Sequence, residues 1–320
     1  MALMSVIIIS PDGYATVRRL LCCLHAQTIR RELELIFVVP SGTPDSTDEL
    51  PLNDFAAVQR LEIRDMNSTS RARAAGIRAA TSPIIVLTED HSFPEPDWAE
   101  SLVRAHGGGW AVVGPAVKNG NPGSLLSWAN FLIEYNEWLD PAPGGAAGHL
   151  PGHNSSYKRD ILLRYGSDLE SRLEAESLLH WDLRSRGHRL YLEPSARTRH
   201  LNFSRFWPSV ALRFQAGRLF AGMRRSGWGA ARSAVYAAGF FLIPTVRLYR
   251  ILRELRRPGR PLRMAVVLLP WMLPLLAVDA LGEMAGYLFG PGDSSRRIAQ
   301  IDFHREQFMN RRDREQLAEC

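Results

Sequence analysis

The 320-residue chain has few cysteines and almost no lysines. Its cysteines are Cys22, Cys23 and the terminal Cys320, and three residues in this arrangement do not supply the several pairs that a disulfide-stapled secreted domain needs. Only Lys118 and Lys158 are lysines, so nearly all of the positive charge comes from arginine. The chain also opens without the basic segment, apolar segment and cleavage site of a secretory signal. We therefore expect its amino-terminal part to stay in the cytosol.

Charge is unevenly distributed along the chain. Hydrophobic residues make up 46% and charged residues 22% of the sequence, a composition that excludes wholesale disorder. Residues 1–200 hold 20 Lys and Arg against 24 Asp and Glu, whereas residues 201–320 hold 19 against 9. An acidic body followed by a basic third predicts two parts with different partners, and the basic part is suited to an anionic surface.

The first half alternates apolar, β-branched runs with helical periodicity. Strands are predicted at 5–10, 33–39, 58–63 and 83–87, and helices at 17–27 and 68–80. Strands at intervals of roughly 25 residues with helices between them predict βαβ units and a doubly wound sheet. Ligands of such sheets bind beyond the carboxyl ends of the strands. Pro11, Ser41 and the Glu89–Asp90 pair are therefore expected along one edge.

Glu89 and Asp90 directly follow a buried strand. Two neighbouring carboxylates repel each other, and a divalent cation relieves that repulsion. Oxygen ligands with open coordination positions suit Mg²⁺ or Mn²⁺ bridging a diphosphate. The alternative is that the pair caps the next helix or is solvated. Further along, the Gly, Pro and Ala content of residues 140–153 predicts a mobile loop, followed by a helix at 173–186 and a short strand at 189–192.

Six segments resemble, in order and spacing, family 2 glycosyltransferases of the GT-A fold. They are SVIIIS with Pro11, LELIFVVPSGTPDST at 33–47, SRARAAGI at 70–77, SPIIVLTEDHSFPEPDW at 82–98, GHNSSYKRDIL at 152–162 and AESLLHWDLRSRGHRLYLEPSARTRH at 175–200. The resemblance covers about residues 4–200. It implies an α/β chain with a GT-A-like doubly wound mixed sheet, a nucleotide-sugar donor, an acceptor hydroxyl, a divalent cation (Mg²⁺ or Mn²⁺) and inverting transfer.

The resemblance also implies roles for single residues. Asp90 would hold the metal and the donor diphosphate, with Glu89 on the ribose or sugar of the donor. Glu176 would be the general base that deprotonates the acceptor, with Glu174 as the alternative. His200 matches a histidine that can complete either the metal site or the diphosphate site. A carboxylate base and a neutralised leaving diphosphate are what displacement at an anomeric carbon requires.

Further site residues follow from their positions. The donor side is expected to include Pro11, Ser41 and Arg73. Arg71, on the same Ala-rich helix, is expected to take the solvated position that is usual for such an arginine. His153 and Asn154 follow the predicted loop and are candidates for contacting the acceptor, with a turn role as the alternative.

The sequence departs from the family in several places. Pro40 and Ser41 stand where paired aspartates usually contact the nucleotide, and Ala74 stands where an asparagine is usual. These changes put uridine recognition in doubt and keep open a catalytically degenerate nucleotide-binding or interaction protein. A nucleotidyltransferase is disfavoured because the segment after the first strand, Ser10–Gly13, lacks a Gly-rich phosphate loop.

The basic third contains apolar residues 234–246 and 264–278, each interrupted by Gly or Pro, so that neither is a clean span of about 20 apolar residues. Arginines spaced three and four apart between them suit anionic lipid headgroups. A helical hairpin that dips into one leaflet keeps every charged segment cytosolic. A soluble helical subdomain is the alternative. Nucleic acid is not an expected partner, because no aromatic residues interleave with the arginines.

We therefore divide the chain into a glycosyltransferase domain (1–205), a membrane-associating helical region (206–293) and a polar tail (294–320). The predicted function is metal-dependent inverting glycosyl transfer at the cytosolic face of the membrane. A lipid-linked acceptor is the hypothesis that joins the two halves.

Overall fold

The computed structural model describes residues 2–11, 16–44 and 52–318. The expected turn at 12–13 and residues 45–47 lie outside these ranges. The strands are β1 (Met4–Ile9), β2 (Leu33–Pro40), β3 (Ala57–Ile63), β4 (Ile84–Thr88), β5 (Ser92–Pro94), β6 (Val112–Asn119), β7 (Gly145–Ala147), β8 (Ser156–Lys158) and β9 (Leu190–His200). The helices are α1 (Arg18–His25), α2 (Thr69–Ala79), α3 (Trp98–His106), α4 (Leu125–Tyr135), α5 (Arg159–Leu163), α6 (Leu169–Leu173), α7 (Glu176–Ser185), α8 (Phe206–Arg224), α9 (Ala230–Ala238), α10 (Ile243–Leu255), α11 (Met264–Phe289), α12 (Ser294–Phe303), α13 (Arg305–Phe308) and α14 (Arg311–Ala318).

The chain divides into two compact units. The first comprises residues 1–120, 142–200 and 314–320, and the second comprises residues 121–141 and 201–313. This division differs from the linear one drawn from the sequence, because residues 121–141, which contain α4, group with the carboxy-terminal helices.

The first unit is built on a mixed sheet. In the described residues its order is β3-β2-β1-β4-β8-β6-β9-β5, with β7 beside β9. Strands β1 to β4 run parallel to one another, whereas β8 is antiparallel to both β4 and β6. Strand β9 is parallel to β6, and β5 and β7 are antiparallel to β9. The four strands predicted from the apolar runs are thus present, and the sheet continues through strands that carry no comparable signal.

Alternating side chains of β1 explain why helices cover both faces. Met4, Val6 and Ile8 belong to the core cluster that includes apolar side chains of α1 and α3. Ile7 points the other way and meets α2 at Gly76, where a Cβ would lie 2.5 Å from Ile7 Cγ2. Strand residues alternate between faces, so a run without polar interruptions is expected only where both faces are buried.

One carboxylate is buried in this core. Glu34 on β2 accepts hydrogen bonds from Gln59 Nε2 at 2.6 Å and from Thr81 N and Oγ1 at 2.9 Å each, as well as from the hydroxyl of Ser5. Burial raises the pKa of Glu34, but these donors outweigh it and hold the pKa below its usual range. Through these hydrogen bonds Glu34 on β2 is joined to Ser5 on β1, to Gln59 on β3 and to Thr81.

Three local expectations are wrong. Residues 140–153 were expected to form neither helix nor strand, yet Gly145–Ala147 pairs antiparallel with β9. Strand β9 runs for 11 residues rather than the four expected, because it pairs with β5, β6 and β7 along its length. The single helix expected at 173–186 is two helices, since α6 ends at Leu173 and α7 begins at Glu176.

The second unit is helical. Helices α8 and α11 pack closely at glycines: a Cβ on Gly282 would lie 2.2 Å from the Phe214 carbonyl oxygen, and one on Gly286 would lie 2.4 Å from that of Arg218. Helix α11 continues through both Pro270 and Pro274 for 26 residues, contrary to the expected interruption. Ala230–Leu255 and Met264–Phe289 are long and apolar enough to cross a membrane by length and composition.

Candidate active site

Three separate segments meet at the carboxyl end of β4. The antiparallel pairing of Val86 with Ser156 places the residues before β8 beside this end, and Asn154 N donates to the Leu87 carbonyl at 2.5 Å. Asn154 has a positive φ of 66°, so the chain turns sharply there. On the other side, the pairing of Ser92 with His200 brings the end of β9 to the residues that follow β4.

Glu89 lies at the centre of these segments. Its Oε2 is 3.1 Å from His91 Nε2 and 3.5 Å from His200 Nε2, and its Oε1 is 3.4 Å from His153 Nδ1. Burial raises the pKa of Glu89, but the charges of His153 and His91 and the hydrogen bonds from His200 and His91 outweigh it and hold the pKa well below its usual range. Glu89 is therefore a carboxylate at neutral pH.

Asp90 lies against the neighbouring imidazole of His91. Its Oδ1 lies 2.7 Å from His91 Nδ1, so that the two ring nitrogens of His91 join Asp90 to Glu89. The ring of His91 also meets the ring of His200 edge to face, with 4.8 Å between the centroids. The structure thus surrounds Glu89 with three imidazoles, whereas Asp90 is held by one of them.

Glu176 is the first residue of α7, where the positive end of the helix dipole favours a carboxylate. Its Oε1 accepts a hydrogen bond from Arg73 Nη1 at 2.5 Å, and Arg73 Nη2 lies 3.4 Å from Glu89 Oε1. Arg73 is buried rather than solvated. Burial lowers the pKa of Arg73, but Glu176 and Glu89 outweigh it and raise the pKa, so the guanidinium stays charged. Arg73 thus links the candidate base to the strand-end carboxylate.

Glu174, the alternative base, lies apart from this ion pair. One of its carboxylate oxygens accepts a hydrogen bond from the Ser70 hydroxyl, and Ser70 in turn lies 3.0 Å from the hydroxyl of Ser68. Glu174 therefore joins α6 to the start of α2, and no described contact joins it to Glu89.

A buried hydrogen-bond chain supports the turn before β8. Leu150 N donates to His180 Nδ1 at 3.4 Å, which leaves His180 Nε2 to donate to the Tyr157 hydroxyl at 2.9 Å. Tyr157 then donates to the Gly152 carbonyl at 3.4 Å. Burial lowers the pKa of His180 to about 3, in keeping with a neutral ring that both accepts and donates. Nothing in the sequence pattern singled out Tyr157 or His180.

Gly152 itself touches the candidate base. A Cβ at this position would lie 2.1 Å from Glu176 Cγ, so only glycine allows the turn and the first residue of α7 to approach this closely. The residues predicted to contact the acceptor, His153 and Asn154, follow immediately. Their turn is therefore fixed on one side by β4 and on the other by Glu176.

The predicted donor residues at the other strand ends have fewer contacts. Pro11 follows β1 and is half-buried, and Ser41 follows β2 and is exposed. The described contact of Ser41 is a backbone one, in which its N–H donates to the Ile63 carbonyl at 3.0 Å.

The described residues contain one group that fits a metal ion, namely Glu89, His153 and His200, whose donor atoms all lie within 4.8 Å of one another. Two donors each about 2.1 Å from an ion and about 110° apart are about 3.4 Å from each other. The measured 3.4 Å and 3.5 Å from Glu89 to the two imidazoles match that spacing.

Comparisons with known proteins identify the family of the chain. The sequence profile of the family described as Glycosyl transferase family 2 matches residues 5–166. A glucosyl-dolichyl phosphate glucuronosyltransferase from Haloferax volcanii is 28% identical over 170 residues, which are 49% of this chain and 52% of that protein. The chain therefore matches about half the length of this curated relative.

Two solved structures resemble the chain. The mannosyltransferase PcManGT from Pyrobaculum calidifontis, in complex with GDP-Man and Mn²⁺, has a TM-score of 0.55 and 17% identity over 88% of this chain and 86% of its own. GalNAc-T7 with UDP, GalNAc and Mn²⁺ has a TM-score of 0.46 and 12% identity over 63% of this chain and 44% of its own. The likeness to the mannosyltransferase confirms the predicted GT-A fold class.

Proposed function

This chain belongs to glycosyl transferase family 2, and we propose that it moves a sugar from a nucleotide-sugar donor to an acceptor hydroxyl with the help of a divalent cation. The observation that carries the proposal is the chain of contacts from Glu89 through Arg73 to Glu176 at the end of β4. It joins a cation-binding carboxylate to a second carboxylate on another element, as displacement at an anomeric carbon requires.

In the proposed reaction Glu176 accepts the proton of the acceptor hydroxyl. The acceptor oxygen then bonds to the anomeric carbon from the face opposite the diphosphate, the carbon–oxygen bond to the diphosphate breaks, and the configuration inverts. Arg73 holds Glu176 in place through the 2.5 Å hydrogen bond from its Nη1. Its other terminal nitrogen, Nη2, lies 3.4 Å from Glu89 Oε1. Asp90, Pro11 and Ser41 are proposed to face the donor.

A bound divalent cation would neutralise the negative charge of the departing nucleoside diphosphate. Glu89 and His200 are the proposed residues that hold it, and their 3.5 Å separation fits two ligands of one ion. The Mn²⁺ of the mannosyltransferase complex supports this part of the proposal.

We further propose that the acceptor is lipid-linked and that the second unit rests on a membrane from the cytosolic side. The name of the Haloferax relative, a glucosyl-dolichyl phosphate glucuronosyltransferase, includes a dolichyl phosphate and supports a lipid acceptor. Apolar side chains stand exposed on the helices of the second unit, among them Val235 (69%), Phe241 (64%) and Val266 (72%). Arginines such as Arg253 and Arg256 are exposed close by in sequence and suit anionic headgroups.

The transfer proposal is tested with full-length protein in membrane fractions and a panel of nucleotide sugars. Transfer to a lipid-extractable product is expected, and it falls by at least about 100-fold in Glu176→Gln, since a general base contributes roughly that much. Asp182→Asn, on the same helix, is the matched control and keeps transfer. Unchanged transfer in Glu176→Gln and Asp90→Ala rejects the site assignment, and binding of nucleoside diphosphate without any transfer supports the degenerate alternative.

Membrane attachment is tested separately by flotation with vesicles. Binding is expected to vesicles that contain anionic lipid and to decrease when Arg253 and Arg256 are both changed to Glu. Equal flotation of this variant and the wild type would contradict the contribution of the arginines, and protein that stays in the soluble fraction would contradict the attachment itself.

A further inference from the structure

We propose that Glu89, His153 and His200 form one cation site that takes first-row transition-metal ions in preference to Mg²⁺, with His153 as the ligand that connects the ion to the turn packed on the candidate base. The inference rests on the proposed function and adds to it the third ligand and the metal class. Neither the family resemblance nor the sequence pattern assigns His153 to the metal.

The geometry places His153 and His200 on opposite oxygens of the same carboxylate. His153 Nδ1 is 3.4 Å from Glu89 Oε1, and His200 Nε2 is 3.5 Å from Glu89 Oε2. The two rings are stacked, with 5.7 Å between centroids and 27° between planes. Both imidazoles therefore lie against the same carboxylate, and both distances agree with about 3.4 Å between two ligands of one ion.

The donor atoms indicate the kind of metal. Two imidazole nitrogens and one carboxylate are ligands of transition metals such as Co²⁺, Fe²⁺ and Zn²⁺ and are compatible with Mn²⁺, whereas Mg²⁺ takes almost only oxygen ligands and keeps several waters. The side chains are also largely shielded, since the exposed fraction is 6% for His200, 17% for His153 and 18% for Glu89. A strongly hydrated Mg²⁺ would have to give up waters here for nitrogen ligands that suit it poorly.

Asp90, the metal ligand implied by the resemblance, contacts His91 through one carboxylate oxygen. Its Oδ1 lies 2.7 Å from His91 Nδ1, and the opposite nitrogen of His91 lies 3.1 Å from Glu89 Oε2. This contact sets Asp90 against His91, whose imidazole lies beside Glu89. In this proposal Asp90 acts on the ion by positioning His91, in addition to its proposed place toward the donor, and His153 is a ligand.

His153 also couples the ion to catalysis. The residue before it, Gly152, is so close to Glu176 that a Cβ would lie 2.1 Å from Glu176 Cγ. An ion that draws His153 toward Glu89 fixes the position of this turn, and the turn bears directly on the side chain of Glu176. Occupation of the site is therefore expected to order residues 151–154 and α7 together.

The test is Mn²⁺ binding to purified full-length protein without donor or acceptor, followed as the loss of the free-ion signal in electron paramagnetic resonance. We expect His153→Ala and His200→Ala each to weaken Mn²⁺ binding by at least about tenfold, and Asp90→Asn to weaken it by less than about threefold. His149→Ala is the matched control, because His149 lies with His153 in the segment that connects β7 to β8 but is not one of the three proposed ligands. This variant is expected to leave the Kd for Mn²⁺ unchanged. Mg²⁺ displaces Mn²⁺ only in large molar excess. Circular dichroism checks that each variant is folded.

Two further readouts separate this inference from the proposed function. Amide hydrogen exchange of residues 151–154 and of the first turn of α7 is expected to slow when Mn²⁺ is added to wild type and not when it is added to His153→Ala. If Asp90→Asn weakens Mn²⁺ binding more than His153→Ala does, or if Mg²⁺ competes at equal concentration, the inference is wrong while metal-dependent transfer can still stand. If transfer proceeds fully in a strong chelator, the metal dependence of the proposed function is wrong as well.

Discussion

Replacing Arg73 by methionine tests the contact chain at the candidate site directly. The guanidinium is nearly enclosed, with 5% of the side chain exposed, and it faces Glu176 and Glu89, which are 26% and 18% exposed. Removing the cation leaves two shielded carboxylates facing each other. Breaking a buried ion pair by removing one partner typically costs about 3–5 kcal/mol. Because both carboxylates retain some contact with water, we expect about 2–3 kcal/mol here.

The assay is urea denaturation of purified protein in detergent, and Arg71→Met is the control. Arg71 lies on the same helix, but it is 44% exposed and pairs with Asp65, which is 58% exposed. An exposed pair of this kind contributes at most about 0.5 kcal/mol. Arg73→Met should also slow transfer, since Glu176 loses the hydrogen bond that orients it.

The double variant of Arg73→Met with Glu176→Gln isolates the pair. If the ion pair is responsible, Glu176→Gln removes one of the two unpaired carboxylates, and the double variant is more stable than the sum of the single effects by at least about 1 kcal/mol. Additive effects, or an Arg73→Met variant no less stable than Arg71→Met, would refute the reasoning.

Three further predictions concern neighbouring features. Glu34→Gln is expected to lower the free energy of unfolding by about 1–3 kcal/mol at neutral pH. Since the folded-state pKa of Glu34 is lowered, its contribution is present above the unfolded-state pKa and is lost as pH falls through the folded-state value, so the difference from wild type in urea titrations should shrink toward acid pH. Gly152→Ala should reduce kcat with little change in donor affinity, because the added Cβ displaces Glu176, and an unchanged kcat would contradict the close contact. Ser68→Ala removes the side-chain acceptor for Arg71 N at the start of α2 and should cost about 1 kcal/mol by thermal denaturation, with an unshifted Tm as the contrary result.

The part of the fold that the sequence predicted is the part in which each element carries its own signal. Strands β1, β2 and β4 are runs buried on both faces, so they appear as unbroken apolar segments. Helix α2 has a serine before it that caps it, and its predicted range is within one residue of the observed one at each end. The short strands β5, β7 and β8 have three residues each. Their sequences show no periodicity, and only pairing with distant strands makes them strands.

The same distinction applies to the candidate site. Glu89 was predictable because it follows a parallel strand, where such sheets bind ligands. His153 comes close to Glu89 because β8 lies antiparallel beside β4, with Val86 paired to Ser156. No local sequence pattern predicts this pairing. The burial of Arg73 depends likewise on α7 beginning at Glu176 rather than three residues earlier. Long-range pairing therefore decides which predicted residues meet.

The acidic residues of the second unit do not decide whether this unit attaches to a membrane. In the sequence, Asp279 follows an apolar segment and would be buried if that segment crossed a membrane, and Glu254 is the one acidic residue among the arginines between the two apolar segments. In the structure Asp279 forms an ion pair with Arg247, and Glu254 lies 2.9 Å from Arg257 and 3.3 Å from the fully enclosed Arg260. A charge that is paired inside the helical unit need not be brought into contact with lipid, because its partner already compensates for the loss of water. The surface that meets the surroundings is then set by the exposed apolar and arginine side chains, so substitutions there, rather than at the paired acids, decide whether the unit binds a membrane.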